Sequence, residues 1–449
     1  MDDKPLFQII FVPLHHDSNS KSELLDMMKK YILLWLSVFT TMAASGQWST
    51  TTNGQQPMNG QWSMVNGSMA DSLPWPQNVR ARLDSLVGLP MFETSTVGLM
   101  VYDLSADSVL YCHNHRVLLR PASTMKLLTA ITAIDLLGGN YRLNTSLYYK
   151  GTISNRTLRG TLYCVGGMDP LFDGNDMRAF ANELRQMGID TIRGTIVADC
   201  TMKDTLRLGE GWCWDDRNPI LSPLLVSRKA NFTERLVSEL AAQHVEVDSI
   251  RLTTGRMPGD ARFICSRTHT LQQVLVPMMK ESDNLFAESL FYQIAAGSGK
   301  RPATAKGSRA VMQQLIRRMG LNPEVYRIAD GSGLSLYNYL SAELEVMFLR
   351  YAWQNWQVYN LLYPSLPIAG VDGTLQKRML MPFNVGNVHA KTGTLSGVSA
   401  LSGYCTAPNG HVLCFSTINQ GVMRASTAHR FQERICSALT EPSTETNKK

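Results

Sequence analysis

Apolar positions along this chain follow two periods, and their order predicts a sheet assembled from both ends of the sequence. Thr96 to Leu104 runs largely apolar and Asp107 to Cys112 alternates, with Ser105-Ala106-Asp107 between them, so the pair predicts a hairpin. An amphipathic helix precedes it at Asn78–Val87. After the hairpin, Pro121-Ala122-Ser123 leads into an apolar helical run from Thr124 to Leu137, stopped by Gly138-Gly139. Near the other end, 388–393, 400–405 and 411–418 read as three consecutive strands, and Ser426 to Leu439 as a closing helix. Two strands from the start and three from the end make a five-stranded antiparallel sheet flanked by helices. The fold class is α/β in the α+β sense, with a core split between residues 76–149 and 266–440. Residues 150–265 interrupt it as an inserted α/β domain, in which Leu158–Val165 and Ile192–Asp199 are strand-like and Asp176–Met187 is helical.

The ends of the chain have a different character. Met28 to Gly46 has a basic start, a short apolar run and then small residues, the pattern of a signal peptide cleaved before Gln47. Export to the periplasm as a soluble protein is therefore expected, with no transmembrane segment in the mature chain, because the apolar run is short for a span. Residues 1–27 include Asp2, Asp3, Asp17, Glu23 and Asp26, a poor leader for export, so they are expected to be an extension ahead of a true start at Met27 or Met28. Residues 47–75 are rich in Gly, Ser, Thr, Asn and Gln and repeat Gly-Gln-Trp-Ser at Gly46 and Gly60, which predicts a flexible linker. Residues 441–449 read as a disordered tail.

Composition narrows the function only slightly. With 44% hydrophobic and 18% charged residues, the 449-residue chain is an ordinary globular protein. Its net charge of +6 comes without a Lys/Arg cluster interleaved with aromatics, which argues against nucleic-acid binding. The eight cysteines form no C-x-x-C and no zinc-like spacing, and His113 and His115 lack helix-spaced partners, so neither a metal nor any other cofactor is expected. Cys405 and Cys414 are the one suggestive pair. A two-residue turn at Asn409-Gly410 would set them opposite each other at a spacing a disulfide can span, whereas a longer loop would leave two buried thiols.

The chemistry lies in three short segments: Ser123-Thr124-Met125-Lys126, Ser282-Asp283-Asn284 and Lys391-Thr392-Gly393. Each alone is commonplace; in this order they form a set for a serine nucleophile that uses lysine as its base. A serine hydroxyl attacks well only when a base takes its proton. Ser123 falls in the first turn of the predicted helix, where free amides favour negative charge, and Lys126 lies one turn on along the same face. Lysine can serve as a base near neutrality only if desolvation or a neighbouring cation lowers its pKa, and Lys391 could be that cation. Ser282 could relay the proton, Asn284 could hold the substrate backbone, and Lys391 and Thr392 suit a carboxylate. His389, two residues before Lys391, shares its face on a strand and could tune its charge or simply pack.

Longer stretches carry a resemblance. Leu119–Thr129, Gly166–Pro170, Gly211–Asp216, Asp330-Gly331-Ser332-Gly333-Leu334-Ser335, Ala369–Leu375 and Ala390–Gly403 resemble the D-alanyl-D-alanine carboxypeptidase/endopeptidase family of low-molecular-mass penicillin-binding proteins (class C type, peptidase family S13). The likeness runs from about Val79 to about Leu439. It implies the serine β-lactamase/penicillin-binding transpeptidase-like fold, action on peptidoglycan stem peptides through an acyl-enzyme on Ser123, and β-lactams as covalent inhibitors. It also implies an oxyanion hole made by the backbone N–H groups of Ser123 and Thr394. Asp169-Pro170 and Trp214-Asp215-Asp216 either pack the inserted domain or line the groove. Two departures stand out: Ser222 to Lys229 runs almost directly into the helical Asn231–Leu240, where the family usually carries a longer insert, and Leu336 replaces a common arginine. A serine β-lactamase is the rival enzyme, but no Glu-x-x-x-Asn stretch follows Ser123 to supply a deacylating carboxylate. A catalytically idle wall-binding protein is the non-enzymatic rival, and the presence of every chemical residue argues against it.

Overall fold

The computed structural model describes Ala70 and residues 72–442. The expected signal peptide, the start at Met27 or Met28, most of the linker and residues 443–449 lie outside the described residues.

Helix α1 (Gln77–Val87) leads to the hairpin of β1 (Thr96–Asp103) and β2 (Ser108–His113). A 3-10 turn (Ala122–Thr124) runs into α2 (Met125–Leu137). The strands β8 (His389–Leu395), β9 (Val398–Thr406) and β10 (Val412–Gln420) close the sheet, and α10 (Ala425–Thr440) ends the fold. Strand order is β2-β1-β10-β9-β8, antiparallel throughout, so the first and last parts of the chain meet where β1 pairs β10 with Leu99 opposite Thr417.

Both faces of this sheet are covered, which explains why β1 and β9 are buried almost end to end rather than alternating with solvent. One face carries Val97, Leu99, Val101, Leu413 and Phe415, packed against Leu83 of α1 and against Phe431 and Ile435 of α10. The other carries Met100, Tyr404 and Cys414 and packs against α8 (Ala342–Gln354), on which α2 lies in turn, with α6 (Asn284–Gly297) against α2. Helix α2 is buried on all sides because it is the centre of that layer: Met125 to Ile134 are all buried, Lys126, Thr129 and Thr132 among them.

Between the two halves lies a second, mixed sheet. Its strands are β3 (Arg142–Ser154), β4 (Thr157–Val165), β5 (Thr191–Asp199), β6 (Glu246–Thr254) and β7 (Arg262–Thr270), in the order β6-β5-β4-β3-β7. The pairs β4–β5 and β5–β6 are parallel, joined through α3 (Gly174–Gln186) and α4 (Phe232–Ala242). Phe172, Phe180 and Phe232 form the aromatic centre beneath these helices. From β7 the chain enters α5 (Leu271–Lys280), which delivers it to Ser282 and α6. Helix α7 (Ala305–Arg318) packs outside α6, and α9 (Trp356–Leu362) follows α8. Among the described residues no helix is long and apolar enough to cross a membrane.

The structure decides between the two readings of Cys405 and Cys414 in favour of the longer loop and two buried thiols. The β9–β10 loop is Pro408-Asn409-Gly410, closed by Ala407 N to His411 O at 2.8 Å and Gly410 N to Ala407 O at 2.9 Å. One extra loop residue shifts the register by one, so Cys405 faces Leu413 and Cys414 faces Tyr404. In a pleated strand that shift moves a side chain to the other face. The two thiols accordingly sit in different cores, on opposite sides of the sheet, and both are free.

Candidate active site

Ser123 stands on a backbone held in an unusual shape. Pro121 ends the approach to the 3-10 turn, and Ala122 has φ 49°, in the left-handed region that side chains disfavour. Such strain persists only where surrounding packing imposes it. Here the packing is visible: a Cβ on Gly333 would lie 1.7 Å from Ala122 O, and one on Gly393 would lie 2.7 Å from Pro121 O. Both glycines let other backbones press directly on the turn that presents Ser123. Gly333 is also at φ 81°. Gly333→Ala is therefore expected to cost about 1–3 kcal/mol or more. It should lower the melting temperature and slow covalent labelling of Ser123; a variant with wild-type melting and labelling would show that the contact is dispensable.

The side chains of the three segments converge on Ser123. Lys126, fully buried, donates from Nζ to Ser123 Oγ (2.9 Å), Asn284 Oδ1 (2.8 Å) and Ser332 O (2.8 Å). Asn284 is the first residue of α6, placed there by Asp283, whose Oδ1 accepts from Leu285 N at 2.9 Å as the N-cap. Lys391, also fully buried, donates to Ser282 Oγ and to Thr392 O, each at 2.8 Å. Ser282 is at φ 61°, a second left-handed residue in the site. Thr392 Oγ1 meets Thr374 Oγ1 at 2.8 Å.

Strand β8 is an edge, and its alternation decides which amides face the nucleophile. Ala390 N turns away from β9 and donates to Pro367 O at 3.0 Å. With a period of two, the amides of Thr392 and Thr394 point the same way, towards the open edge. Gly393 brings that edge against the Ser123 turn, since a Cβ there would lie 3.1 Å from Ser123 N. The N–H groups of Ser123 and Thr394 thus belong to two segments in direct contact.

Burial sets the charge of the lysines. It pushes Lys126 down to about 8, against the pull of Asp330, Glu288 and Asp283. It pushes Lys391 well below the usual lysine range, with Lys126 as the second cause. Desolvation, rather than the charge of Lys391 suggested by the sequence, is therefore what brings Lys126 near neutrality. His389 does not act on Lys391 either. Its ring stacks on Tyr363, with centroids 4.2 Å apart, and burial lowers its own pKa. It packs.

Two buried acids beside the site, Glu288 and Glu345, carry no signal among the motifs, and a third, Asp330, enters the sequence reading only as the start of the Asp330–Ser335 stretch. Glu288, one turn after Asn284 on α6, accepts from Gly331 N (3.0 Å) and Ser332 N (2.8 Å), fixing the carbonyl that Lys126 uses; burial pushes it up to about 8. Asp330 accepts from Gly333 N, Ser335 N, Asn338 Nδ2 and Trp212 Nε1, all between 2.7 and 2.9 Å. Glu345 of α8 accepts from Thr124 Oγ1 (2.5 Å), Ser416 Oγ (2.8 Å) and Ser402 Oγ, tying the nucleophile's neighbour to β9 and β10. Burial raises its pKa. Helical spacing with Ala342, Leu349 and Ala352 puts Glu345 on an apolar stripe, so a signal for it existed. Of the second-sheet residues, Asp169 is buried and bonded to Leu171 N and His269 Nδ1, a packing role, while Trp214 is fully exposed beside Asp215 and Asp216.

Comparison with known proteins finds relatives over most of the chain. The pattern of the D-Ala-D-Ala carboxypeptidase 3 (S13) family matches residues 79–224 and 226–441. A D-alanyl-D-alanine carboxypeptidase of Actinomadura sp. (strain R39) is 30% identical over 447 residues, covering 76% of this chain and 81% of the relative. The D-alanyl-D-alanine carboxypeptidase DacB of Haemophilus influenzae is 25% identical, over 78% of this chain and 89% of the relative. Penicillin binding protein 4 (dacB) from Haemophilus influenzae superposes with a TM-score of 0.73 at 23% identity, covering 78% of this chain and 97% of that structure; it has also been solved with a β-lactam bound.

Proposed function

The chain belongs to the D-Ala-D-Ala carboxypeptidase 3 (S13) family, and from that premise we propose that it is a serine-type D-Ala-D-Ala carboxypeptidase, with endopeptidase action on cross-links as a second activity, acting on peptidoglycan stem peptides in the periplasm. The observation that carries the reading is the pair of buried lysines, each bonded to a different serine, on either side of the Ser123 turn.

Ser123 Oγ gives its proton to the neutral form of Lys126 and attacks the penultimate D-alanine carbonyl. The oxyanion is held by the N–H groups of Ser123 and Thr394, in a site where fixed dipoles act at low dielectric. The proton passes by way of Lys126 and Ser282 to the departing D-alanine nitrogen, Ser282 being bonded to Lys391. Asn284 Oδ1 holds Lys126 in line, which leaves its amide nitrogen to donate to the substrate backbone. Water then hydrolyses the ester, splitting one hard step into two. Lys391 is unfavourable as a buried cation in the free enzyme. A substrate carboxylate beside it and beside Thr392 Oγ1 favours the charged form and forms a charge-assisted bond.

That last role gives the test. With purified protein and a pentapeptide ending in D-Ala-D-Ala, free D-alanine should appear. Lys391→Ala should lower the rate about ten- to a hundredfold, the equivalent of a charged hydrogen bond. The loss should be much smaller for the same peptide with an amidated C-terminus. Equal losses for both peptides would remove Lys391 from carboxylate recognition, and absence of D-alanine release by wild type would overturn the carboxypeptidase reading.

A further inference from the structure

Ser282 has a left-handed backbone at the junction where α5 ends and α6 begins, with Glu281 N and Asp283 N both donating to Pro277 O (3.1 and 3.3 Å), and its own side chain makes one bond. Residues on either side of it are held by ion pairs from other parts of the fold. On the α5 side, Lys280 Nζ binds Asp372 Oδ2 at 2.6 Å and Leu366 O at 2.5 Å. Asp372 is fixed in turn by Ile368 N, 2.9 Å from its Oδ1. Its loop continues into Gly373, where a Cβ would lie 2.7 Å from Lys280 O, and Thr374, which bonds Thr392. On the α6 side, the N-cap Asp283 uses Oδ1 for the helix and Oδ2 for Arg228 Nη1, at 2.5 Å.

The segment that supplies Arg228 is itself strained. Val226 and Lys229 exchange two hydrogen bonds of 3.0 Å, so Ser227-Arg228 is a two-residue turn, with φ of 47° and 68°. That is a type I′ turn, which normally takes Asn-Gly because both residues need φ above zero. Ser227 N is pinned to Phe172 O in the second-sheet core, and the guanidinium lies over the Phe286 ring, 5.9 Å from its centroid. Two unfavourable backbones, at Arg228 and at Ser282, are thus joined through the Arg228–Asp283 ion pair. The arginine is more than half exposed, so the pair contributes little to stability. A costly turn that yields little stability points to a different use.

We propose that Arg228 and Asp372 are positioning residues for Ser282, clamping the residues on its two sides so that its hydroxyl meets Lys391. The inference rests on the proposed role of Ser282 in proton transfer. It makes the turn of the second-sheet segment a working part of the site.

Arg228→Gly suits the turn better than arginine does, so it should leave the melting temperature unchanged or raise it. Acylation by benzylpenicillin should nevertheless slow about ten- to a hundredfold, the scale of a small misplacement in a catalytic group. Arg228→Lys should restore part of the rate, and Asp372→Asn should slow it as Arg228→Gly does. On a Ser282→Ala background Arg228→Gly should have no further effect, because what it positions is gone. A wild-type rate in Arg228→Gly, or an equal slowing on the Ser282→Ala background, would overturn the proposal. Amide hydrogen exchange at 281–285 without ligand gives a reading independent of the reaction. It should quicken in Arg228→Gly, and unchanged exchange counts against the clamp. If wild-type protein takes up no penicillin, the functional reading falls while the exchange measurement still decides this one.

Discussion

Lys126→Ala should slow acylation of Ser123 by about a hundred- to ten-thousandfold, the range for loss of a positioned general base, while the melting temperature changes little. The small stability effect follows from opposing contributions. The lysine makes three good hydrogen bonds, but it is a fully buried amine whose charged form burial disfavours, and removal relieves that cost. A base with its pKa near 8 is about one-tenth neutral at pH 7, and a tenfold rise per pH unit is the limit below that value. The wild-type acylation rate should therefore climb with pH and level off above about 8, and the residual rate of Lys126→Ala should lose that climb. Stopped-flow acylation by a fluorescent penicillin across this range measures both. A near-normal rate in the variant, or a flat wild-type profile, would deprive Lys126 of its role.

The difference between what the sequence revealed and what it hid is the difference between local and distant constraints. Ser123 and Lys126 lie three residues apart on one turn, and the hairpin Thr96–Cys112 and the strands after 388 show their period directly, so the sheet and the nucleophile were legible. The family resemblance was legible because its stretches span both halves of the core. The pairing of Cys405 and Cys414 depended on the length of one loop, and a single residue reversed it. Glu288 and Glu345 are hidden for another reason. Each is held by backbone amides or hydroxyls far away in the chain, on the 331–335 loop or on β9 and β10, and no short motif records that, whereas Asp330 opens the Asp330–Ser335 stretch and takes most of its bonds from within a few residues of itself. Which of desolvation and a neighbouring cation lowers the Lys126 pKa is undecidable from the sequence on the same ground, since burial is a property of the packed helices and not of a neighbouring letter.

Benzylpenicillin should acylate Ser123 and stay there for minutes or longer, adding the full mass of the drug to the peptide that contains Ser123, while D-alanine is released from pentapeptide under the same conditions. Ser123→Ala should abolish both. Opening of the β-lactam ring leaves the departing group tethered to the acyl chain, so it obstructs the water that must follow. Fast deacylation then needs a carboxylate free to activate that water. The acids that act on Lys126 are otherwise engaged: Glu288 with the Gly331 and Ser332 amides, Asp330 with five donors, and Asp283 with the α6 N-terminus and Arg228. Glu345, beneath the same turn, is enclosed by three hydroxyls, and burial favours its protonated form. None is disposed as a base over Ser123. Intact-protein mass spectrometry after mixing, followed over an hour, separates the two enzymes that share this nucleophile. Rapid loss of penicillin with no trappable adduct would identify a β-lactamase and reverse the assignment; a long-lived adduct that blocks D-alanine release would place peptide and drug on the same serine.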